Sequence, residues 1–278
     1  MGQRPTVAEI AGRWLAIYVP TTRTGKIVGM AAQRVNDYLG PFMGERVPRE
    51  LGPDDVRLYR QHLEGRGLAP RSVRHLLADA RCLFNWALES GHLERSPFPR
   101  RIMPRIQETP PDRLDDDEVE RLLAIPEPHA FVVRFGLGTG LRWGELVRAR
   151  PEHVDGAMLV VSQTKSSRLR RVPVAPELLR EILSRDGRLV PFSEGGAGSF
   201  NKLVARRSGV DTFHAHRLRH TFACRWLEAG GSLPTLQQIL GHRSVVTTQH
   251  YARLSDESVR LEAARINGTI AGWRPPAA

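Results

Sequence analysis

Apolar residues in the N-terminal third of the chain recur every three to four positions, the spacing of an amphipathic helix. The first such run begins at Val7. Thr6 followed by Glu9 has the form of a capping box, so we expect a helix to start almost at the N-terminus. A second run covers 26–39 and should end at Gly40, which a proline follows.

Two further helices complete this predicted domain. One opens at Pro53, a favourable first helical residue, and the next covers 72–90. The inward face of the latter should carry Val73, Leu76, Leu77, Ala80, Leu83, Phe84 and Ala87. Arg71, Arg74 and Arg81 stand together on another face, which is either a solvated basic stripe or a surface that faces DNA.

Prolines and arginines alternate along 97–112, a stretch that cannot form a continuous helix. We interpret it as a basic linker between a helical domain, 1–96, and a second domain, 113–278. Its Arg100 and Arg101 are expected to lie along phosphate groups. The acidic run after the linker places negative charge where a new helix would begin, which its dipole favours.

Two short β-prone runs, 158–162 and 170–174, are separated by a polar stretch and predict a hairpin. Lys165 lies at its tip. Any single arginine of this hairpin could be a solvated turn residue, but together they suggest contacts with phosphate. The arginines expected there are Arg168, Arg170 and Arg171.

The chain has 278 residues, enough for two domains, and a formal net charge of +11, which suggests a polyanionic partner. Its 41 basic residues are arginines except for Lys26, Lys165 and Lys202. This bias could also reflect a genome rich in G and C, so charge alone is a modest argument. A lysine at a motif position is correspondingly less easily explained as a chance surface residue.

Cys82 and Cys224 have no metal-binding or redox spacing, which favours a reducing, cytoplasmic compartment. The chain also shows no signal peptide and no long apolar run. One local cluster of histidines and a cysteine could instead bind zinc. No second group of ligands accompanies it, so we expect no metal. That cluster is His214, His216, His220 and Cys224.

The densest candidate chemistry lies in 213–252. Cleavage of a phosphodiester gathers charge on its non-bridging oxygens, so a catalyst without a metal needs rigid, always charged donors such as Arg219. A tyrosine hydroxyl becomes a nucleophile only when cationic neighbours and a base help to remove its proton. Tyr251, which follows His242 and His250, fits that requirement.

Four motifs occur in a fixed order along the second half of the chain. They are Thr139-Gly140-Leu141-Arg142-Trp143-Gly144-Glu145-Leu146, His216-Arg217-Leu218-Arg219-His220, Leu240-Gly241-His242 and Thr247-Thr248-Gln249-His250-Tyr251-Ala252. They resemble the T-G-x-R-x-x-E-L, H-x-x-R, L-G-H and T-T-x-x-Y motifs of the tyrosine recombinases, or phage integrase family. The alternative, a helical domain whose arginines and histidines are surface or core residues, does not explain the ordered set.

The resemblance implies a mainly α-helical fold. An N-terminal core-type DNA-binding domain would precede an α-rich catalytic domain with a small β-hairpin or sheet. It also implies a site-specific DNA recombinase that cleaves and rejoins strands through a 3′-phosphotyrosine intermediate. Such an enzyme needs no metal, ATP or other cofactor.

The same resemblance assigns roles to the motif residues. Arg142 and Arg219 would clamp the scissile phosphate, and Tyr251 would attack it. Lys165 would protonate the departing 5′ oxygen.

The remaining motif residues would assist. His216 would help proton transfer at the tyrosine, and His242 would hydrogen-bond the phosphate. Glu145 would orient Arg142, and His220 would have a supporting structural role.

The expected partner is double-stranded DNA with core-type attachment sites, bound by a free monomer that forms a homotetramer on paired sites. A C-terminal helix, 255–267, would link the protomers, and the scheme leaves room for an accessory directionality factor. The first helix begins so early that no arm-type DNA-binding domain is expected. No membrane is implied, and the bacterial cytoplasm or nucleoid is the expected location.

Residues 251–255 look more like those of phage and mobile-element integrases than of chromosome-dimer resolvases. We therefore expect integration or excision of a phage or mobile element. A chromosome-dimer resolvase of the same family is the first alternative. A type IB topoisomerase and a non-catalytic DNA-binding regulator are the others.

Overall fold

The structure is a computed structural model that describes residues 4–23, 25–107, 111–162 and 169–241. Within these ranges the chain divides into two compact units, Met1–Gln107 and Glu108–Ala278, each with its own hydrophobic core. Both units are mainly helical, and the described strands belong to the second. The mainly α-helical fold with a small sheet that the sequence predicts is confirmed.

The first unit is built from helices. Its described α-helices are α1 (Val7–Arg13), α2 (Val19–Thr22), α3 (Lys26–Arg34), α4 (Gly40–Met43), α5 (Pro53–Gly65) and α6 (Pro70–Glu89). The predicted capping box starts α1, since the Thr6 N–H donates to Glu9 Oε2 at 2.8 Å and the Glu9 N–H donates to Thr6 Oγ1 at 3.3 Å. These bonds satisfy amides that the start of a helix leaves without partners.

Two π-helical segments, Trp14–Tyr18 and Val35–Leu39, join the short helices into longer runs. Each comes just before a helix with proline near its start, Pro20 in α2 and Pro41 in α4. The Gly40 N–H donates to the Val35 carbonyl, five residues earlier, as in a π-helix. In an α-helix, Pro41 would lack the N–H needed for the next bond, and its ring would crowd a carbonyl of the preceding turn. The wider π-helical turn accommodates this proline. The prediction that the second helix ends at Gly40 is therefore wrong.

Helix α6 supplies much of the core of the first unit. All the residues predicted for its inward face are buried, namely Val73, Leu76, Leu77, Ala80, Leu83, Phe84 and Ala87. Asp79 is buried on the same helix and forms ion pairs of 2.8 Å with both Arg23 and Arg34. Because a buried carboxylate needs charged partners, these pairs fix the chain around α2 and α3 onto α6.

The proline-rich stretch after α6 packs on the first unit. Ile102 is buried in its core. Arg60 Nη1 donates to the Ile102 carbonyl at 3.1 Å, and Arg81 Nη2 donates to the Pro99 carbonyl at 3.2 Å. The first part of the predicted linker, residues 97–107, therefore forms a strap on this unit.

The second unit surrounds an apolar helix. Its described helices are α7 (Asp116–Leu123), α8 (His129–Thr139), α9 (Trp143–Arg148), α10 (Pro176–Leu183), α11 (Ala197–Ser208), α12 (Ala215–Glu228) and α13 (Leu233–Leu240). Helix α8 is buried along most of its length and packs against α12. Gly136 permits that approach, because a Cβ there would lie 2.7 Å from Leu218 Cδ1.

The described strands form an antiparallel sheet in the order β1 (Val154–Asp155), β2 (Met158–Ser162) and β3 (Leu169–Pro173). The predicted hairpin is confirmed as β2 and β3, with Val161 opposite Arg170. Successive residues of a strand point to opposite faces, and here Val161, Arg170 and Val172 are buried while Arg171 is exposed.

Candidate active site

Arg142 and Glu145 stand at the start of α9, after a left-handed turn at Gly140. Gly140 has φ +63°, and a Cβ there would lie 2.5 Å from Phe222 Cδ1, so the turn requires glycine. The Arg142 N–H donates to Glu145 Oε2 at 2.8 Å, and Arg142 Nη1 donates to Oε1 at 3.2 Å. Arg142 precedes the helix, with a side chain 41% exposed, and Glu145 makes the expected contact with it.

Glu145 makes shorter side-chain contacts with Arg170. Arg170 Nη1 and Nη2 donate to its two carboxylate oxygens at 2.8 and 2.7 Å, and Arg170 Nε donates to the Ile239 carbonyl at 2.7 Å. Its side chain is only 8% exposed. Because Arg170 is buried and bonded to Glu145 and Ile239, it does not make the phosphate contact predicted from the sequence. The alternation of side chains along a strand could have predicted this burial, because Arg170 shares the inward face of β3 with Val172.

The environment of Glu145 keeps it ionised. Burial alone would raise the pKa of its carboxyl, but the hydrogen bonds and charge of Arg170, with those of Arg142, lower the pKa to about 2. The carboxylate therefore lies between one buried and one half-exposed guanidinium. The other N–H groups of Arg142 have no partner among the described residues, and they are available to an anion.

Arg219 lies on α12 and is 1% exposed. Its Nη1 donates to the Gly140 carbonyl and its Nη2 to the Leu240 carbonyl, both at 2.7 Å. These bonds join three of the sequence motifs: the turn before Arg142, the helix α12 and the end of α13. Since the guanidinium is planar, the two carbonyls fix its orientation.

His216 and His220 lie one turn apart on α12, with ring centroids 4.5 Å apart and planes nearly perpendicular. Partial burial of its ring, then the positive charge of Arg219 and of other neighbours including Arg142, lowers the pKa of His216 to about 4. Burial similarly lowers the pKa of His220 to about 4. Both rings are therefore neutral at pH 7. His216 and Arg219 are three residues apart on α12 and share a face of that helix, and Arg219 contacts the Gly140 carbonyl, two residues before Arg142.

Arg217 has a structural role that the sequence motif did not reveal. It is 5% exposed, and its Nη1 and Nη2 donate to the Glu118 carboxylate at 3.0 and 2.8 Å. Its Nη2 also donates to the Arg113 carbonyl at 2.8 Å. Arg217 therefore fixes the start of α7 onto α12. The spacing of Arg217 and Arg219 could have indicated this difference in role, because residues two apart do not share a helix face.

Most of the arginines predicted to face DNA are accessible. Arg71 and Arg74 are exposed on α6, and neither forms an ion pair among the described residues. Arg100 and Arg101 are exposed on the strap. Arg81 is half-buried, because it holds the strap against the first unit.

Arg171 is exposed on the outer face of β3 and forms an ion pair with Asp155. The other predicted site residues lie outside the described residues; they are Lys165, Arg168, His242 and Tyr251. Within the described ranges, no group of three or more His, Cys, Asp or Glu side chains is arranged to hold a metal ion. The helices described also include none that is long and apolar enough to cross a membrane.

The segment that contains these sites matches a known sequence family. The Phage integrase family matches residues 112–258, more than half of the chain. The chain belongs to this family. Members of this tyrosine recombinase family cleave and rejoin DNA strands, and the protein is an enzyme of that type.

Known tyrosine recombinases and integrases resemble the chain beyond this segment. Tyrosine recombinase XerC of Xanthomonas axonopodis pv. citri (strain 306) is 30% identical over 233 residues, which are 75% of this chain and 76% of the relative. The Tn1549 transposon integrase in complex with circular intermediate DNA has a TM-score of 0.73 at 20% identity, covering 93% of this chain and 99% of that one. A lambda integrase tetramer bound to a Holliday junction gives 0.70 at 15% identity, with coverage of 86% and 78%. The likeness to these two structures shows that the integrase fold is shared.

Proposed function

We propose that this tyrosine recombinase is site-specific, acts through a 3′-phosphotyrosine intermediate, and integrates or excises a phage genome or mobile element. The observation that supports it best is that Arg219, one turn from His216 on α12, contacts both the turn before Arg142 and the end of α13. In the sequence, the motifs that contain His242 and Tyr251 follow this point directly.

The groups supply complementary parts of the reaction. Arg142 and Arg219 stabilise the charge on the non-bridging oxygens of the scissile phosphate. The Tyr251 oxygen attacks phosphorus as the bond to the 5′ oxygen breaks, and Lys165 gives that oxygen its proton. His216 assists proton transfer at the tyrosine.

The remaining residues act around this centre. His242 hydrogen-bonds the phosphate, Glu145 orients Arg142, and His220 supports the arrangement. No step requires a metal or another cofactor.

Recombination joins two duplexes, so we propose that free monomers assemble into a homotetramer on paired core-type sites. The lambda integrase tetramer on a Holliday junction supports this proposal. The C-terminal residues 255–267, outside the described residues, would link the protomers. Deletion of the residues after Leu254 should preserve binding to a single site and abolish pairing of sites in a gel-shift assay.

A chromosome-dimer resolvase is the second candidate, favoured by the 30% identity with Tyrosine recombinase XerC. The two candidates differ in the DNA that they recognise. An integrase should select sequences found as a repeat beside its own gene, whereas a resolvase should select a site elsewhere in the chromosome.

Covalent capture can test the function and its target together. In nicked duplexes of randomised sequence, cleavage releases a short fragment that carries the new 5′ hydroxyl. Because this fragment diffuses away, the reaction cannot reverse and the phosphotyrosine complex is trapped. Sequencing the captured duplexes reveals the preferred site, and Tyr251→Phe is the control that must capture none. Capture without any sequence preference, together with relaxation of plasmids that lack a target, would instead indicate a topoisomerase.

A further inference from the structure

Arg170 connects several parts of the candidate site without itself being exposed to DNA. We propose that Arg170 is a positioning residue that balances the charge of Glu145, so that Arg142 remains available to the scissile phosphate. This inference rests on the proposed function. It assigns to the reaction a buried residue that touches neither the phosphate nor the nucleophile.

The hydrogen bonds of Glu145 show how the charge is shared. Arg170 approaches the carboxylate with two parallel bonds of 2.7 and 2.8 Å, the favoured geometry between guanidinium and carboxylate. The side chain of Arg142 makes one longer bond, of 3.2 Å, from a side chain that is 41% exposed. The carboxylate is therefore neutralised mainly from the interior, and it holds Arg142 by a weaker contact.

Removal of Arg170 would reverse this division. The Glu145 side chain is only 6% exposed and would keep its negative charge. Among the described residues, Arg142 would then be the one cation still paired with it. An uncompensated buried charge is strongly unfavourable, so the Arg142 guanidinium should be drawn toward Glu145 and away from phosphate. A displacement of about 1 Å can reduce the rate of a positioned reaction by about 10²-fold.

The third bond of Arg170 extends the connection to α13. Its Nε donates to the Ile239 carbonyl, whereas the neighbouring Leu240 carbonyl accepts from Arg219. One guanidinium thus contacts both Glu145 and the helix end that precedes His242 in the sequence. A lysine cannot reproduce this arrangement, because it has a single nitrogen in place of a planar fork.

The experiment compares Arg170→Lys, Arg170→Met and the double variant Arg170→Met with Glu145→Gln. Arg170→Met and the double variant both lose the bond to Ile239, but only the double variant also removes the charge of Glu145. The difference between them therefore measures the effect of charge balance alone. Arg180→Met is the matched control, because Arg180 lies in the same unit but is exposed, and its ion pair with Glu177 is exposed as well. Melting temperatures establish that each variant folds.

The activity measurement uses the nicked duplexes that the wild-type protein captures. At saturating duplex, we expect cleavage by Arg170→Met to be about 10²-fold slower, with single-site affinity within about threefold of wild type. Arg170→Lys should be intermediate. The double variant should be faster than Arg170→Met by about 10-fold, because Glu145→Gln removes the uncompensated charge. Arg180→Met should cleave at the wild-type rate.

Two results would overturn the inference. One is cleavage by Arg170→Met at the wild-type rate, and the other is a double variant no faster than Arg170→Met, since a purely structural role predicts no rescue by Glu145→Gln. If the wild-type protein captures no duplex, the proposed function fails, and melting temperatures still test the charge balance. The double variant must then melt above Arg170→Met, or this inference fails as well.

Discussion

The arginines of the two units are used in different ways. On α6 of the first unit, Arg71 and Arg74 are exposed and form no ion pair among the described residues. In the second unit, Arg170, Arg217 and Arg219 are buried and directed at carbonyls or carboxylates. Exposed arginines add positive charge to a surface, whereas buried arginines determine where neighbouring groups lie. The excess of arginine in the sequence therefore does not have a single meaning.

The physical setting decides which use an arginine has. Charges in water are screened by salt over about 10 Å at 0.1 M, so the contribution of Arg74 should depend on ionic strength. A guanidinium that is 1% exposed, such as that of Arg219, is screened far less. Its loss would also leave the Gly140 and Leu240 carbonyls without these donors.

The largest expected effects are on strand cleavage, where a proton donor and a charge-stabilising arginine can be distinguished. Lys165→Ala should slow cleavage of a normal strand by about 10²–10⁴-fold, because an alkoxide is a poor leaving group without a proton donor. A sulfur in the 5′-bridging position leaves as a thiolate and should restore the rate. Arg219→Ala should be slower by about 10²–10³-fold on both strands, since in the proposed mechanism Arg219 acts on the non-bridging oxygens. Single-turnover assays measure both rates.

Tyr251→Phe is the control for this comparison and should cleave neither strand, because it lacks the nucleophile. If sulfur fails to restore Lys165→Ala, the lysine is a phosphate contact. His216 would then be the next candidate for the proton donor.

A second prediction compares a buried and an exposed arginine on α12, both paired with the first turn of α7. Arg217→Ala should lower the free energy of unfolding of the second unit by about 3–5 kcal/mol, since it leaves Glu118 without its partner. Arg225→Ala removes an exposed pair with Asp116 and should cost at most about 1 kcal/mol. Hydrogen-exchange mass spectrometry can follow peptides of α12 in each variant.

Equal protection in the two variants would contradict this division between buried and exposed arginines. A uniform loss of protection in Arg217→Ala across the first unit as well would indicate general misfolding instead.

A third prediction concerns acid. In the folded protein the pKa of His216 and of His220 is about 4, below the ordinary value of 6.5. Between these values the unfolded chain binds more protons, so stability of the second unit should fall as the pH decreases from 6.5 to 4. The variant His220→Gln, which has no ring to protonate, should lose less. Exchange of α12 amides, corrected for the intrinsic effect of pH, measures the difference, and equal losses in both proteins would contradict the prediction.

The smallest effect is expected for an exposed arginine of the first unit. Arg74→Ala should weaken binding to all duplexes alike, because a phosphate contact carries no sequence information. The slope of log K against log salt should become shallower by about 0.9. Titrations of preferred and random duplexes at several salt concentrations measure this. Relaxed specificity at one base pair would show instead that Arg74 reads a base.

The sequence predicted those elements whose causes are local. The capping box of Thr6 and Glu9, the inward face of α6 and the β2–β3 hairpin all depend on residues that are near neighbours along the chain or repeat with a helical or strand period. The helix end at Gly40 was mispredicted because a π-helical segment, which has no recognised local signal, accommodates the proline that follows.

The candidate site was predicted as a set of residues, but not as a set of contacts. Arg142 and Glu145 are close in sequence, so their pairing could be anticipated. Arg170 reaches Glu145 and Ile239 from a separate strand, and only the packing of β3 against α9 and α13 determines that it faces inward. Long-range pairs of this kind leave at most a periodic trace in the sequence, here the alternation along β3.

The carbonyls that end α13 have a thermodynamic consequence. Ile239 and Leu240 are held by two buried guanidinium groups, and Gly241 completes the helix in a left-handed conformation with φ +66°. Ordering a backbone residue costs about 1–2 kcal/mol of conformational entropy, and here folding has already met that cost before any duplex arrives. Binding energy from DNA contacts is consequently not consumed in ordering the end of α13, and it remains available to lower the barrier to strand cleavage.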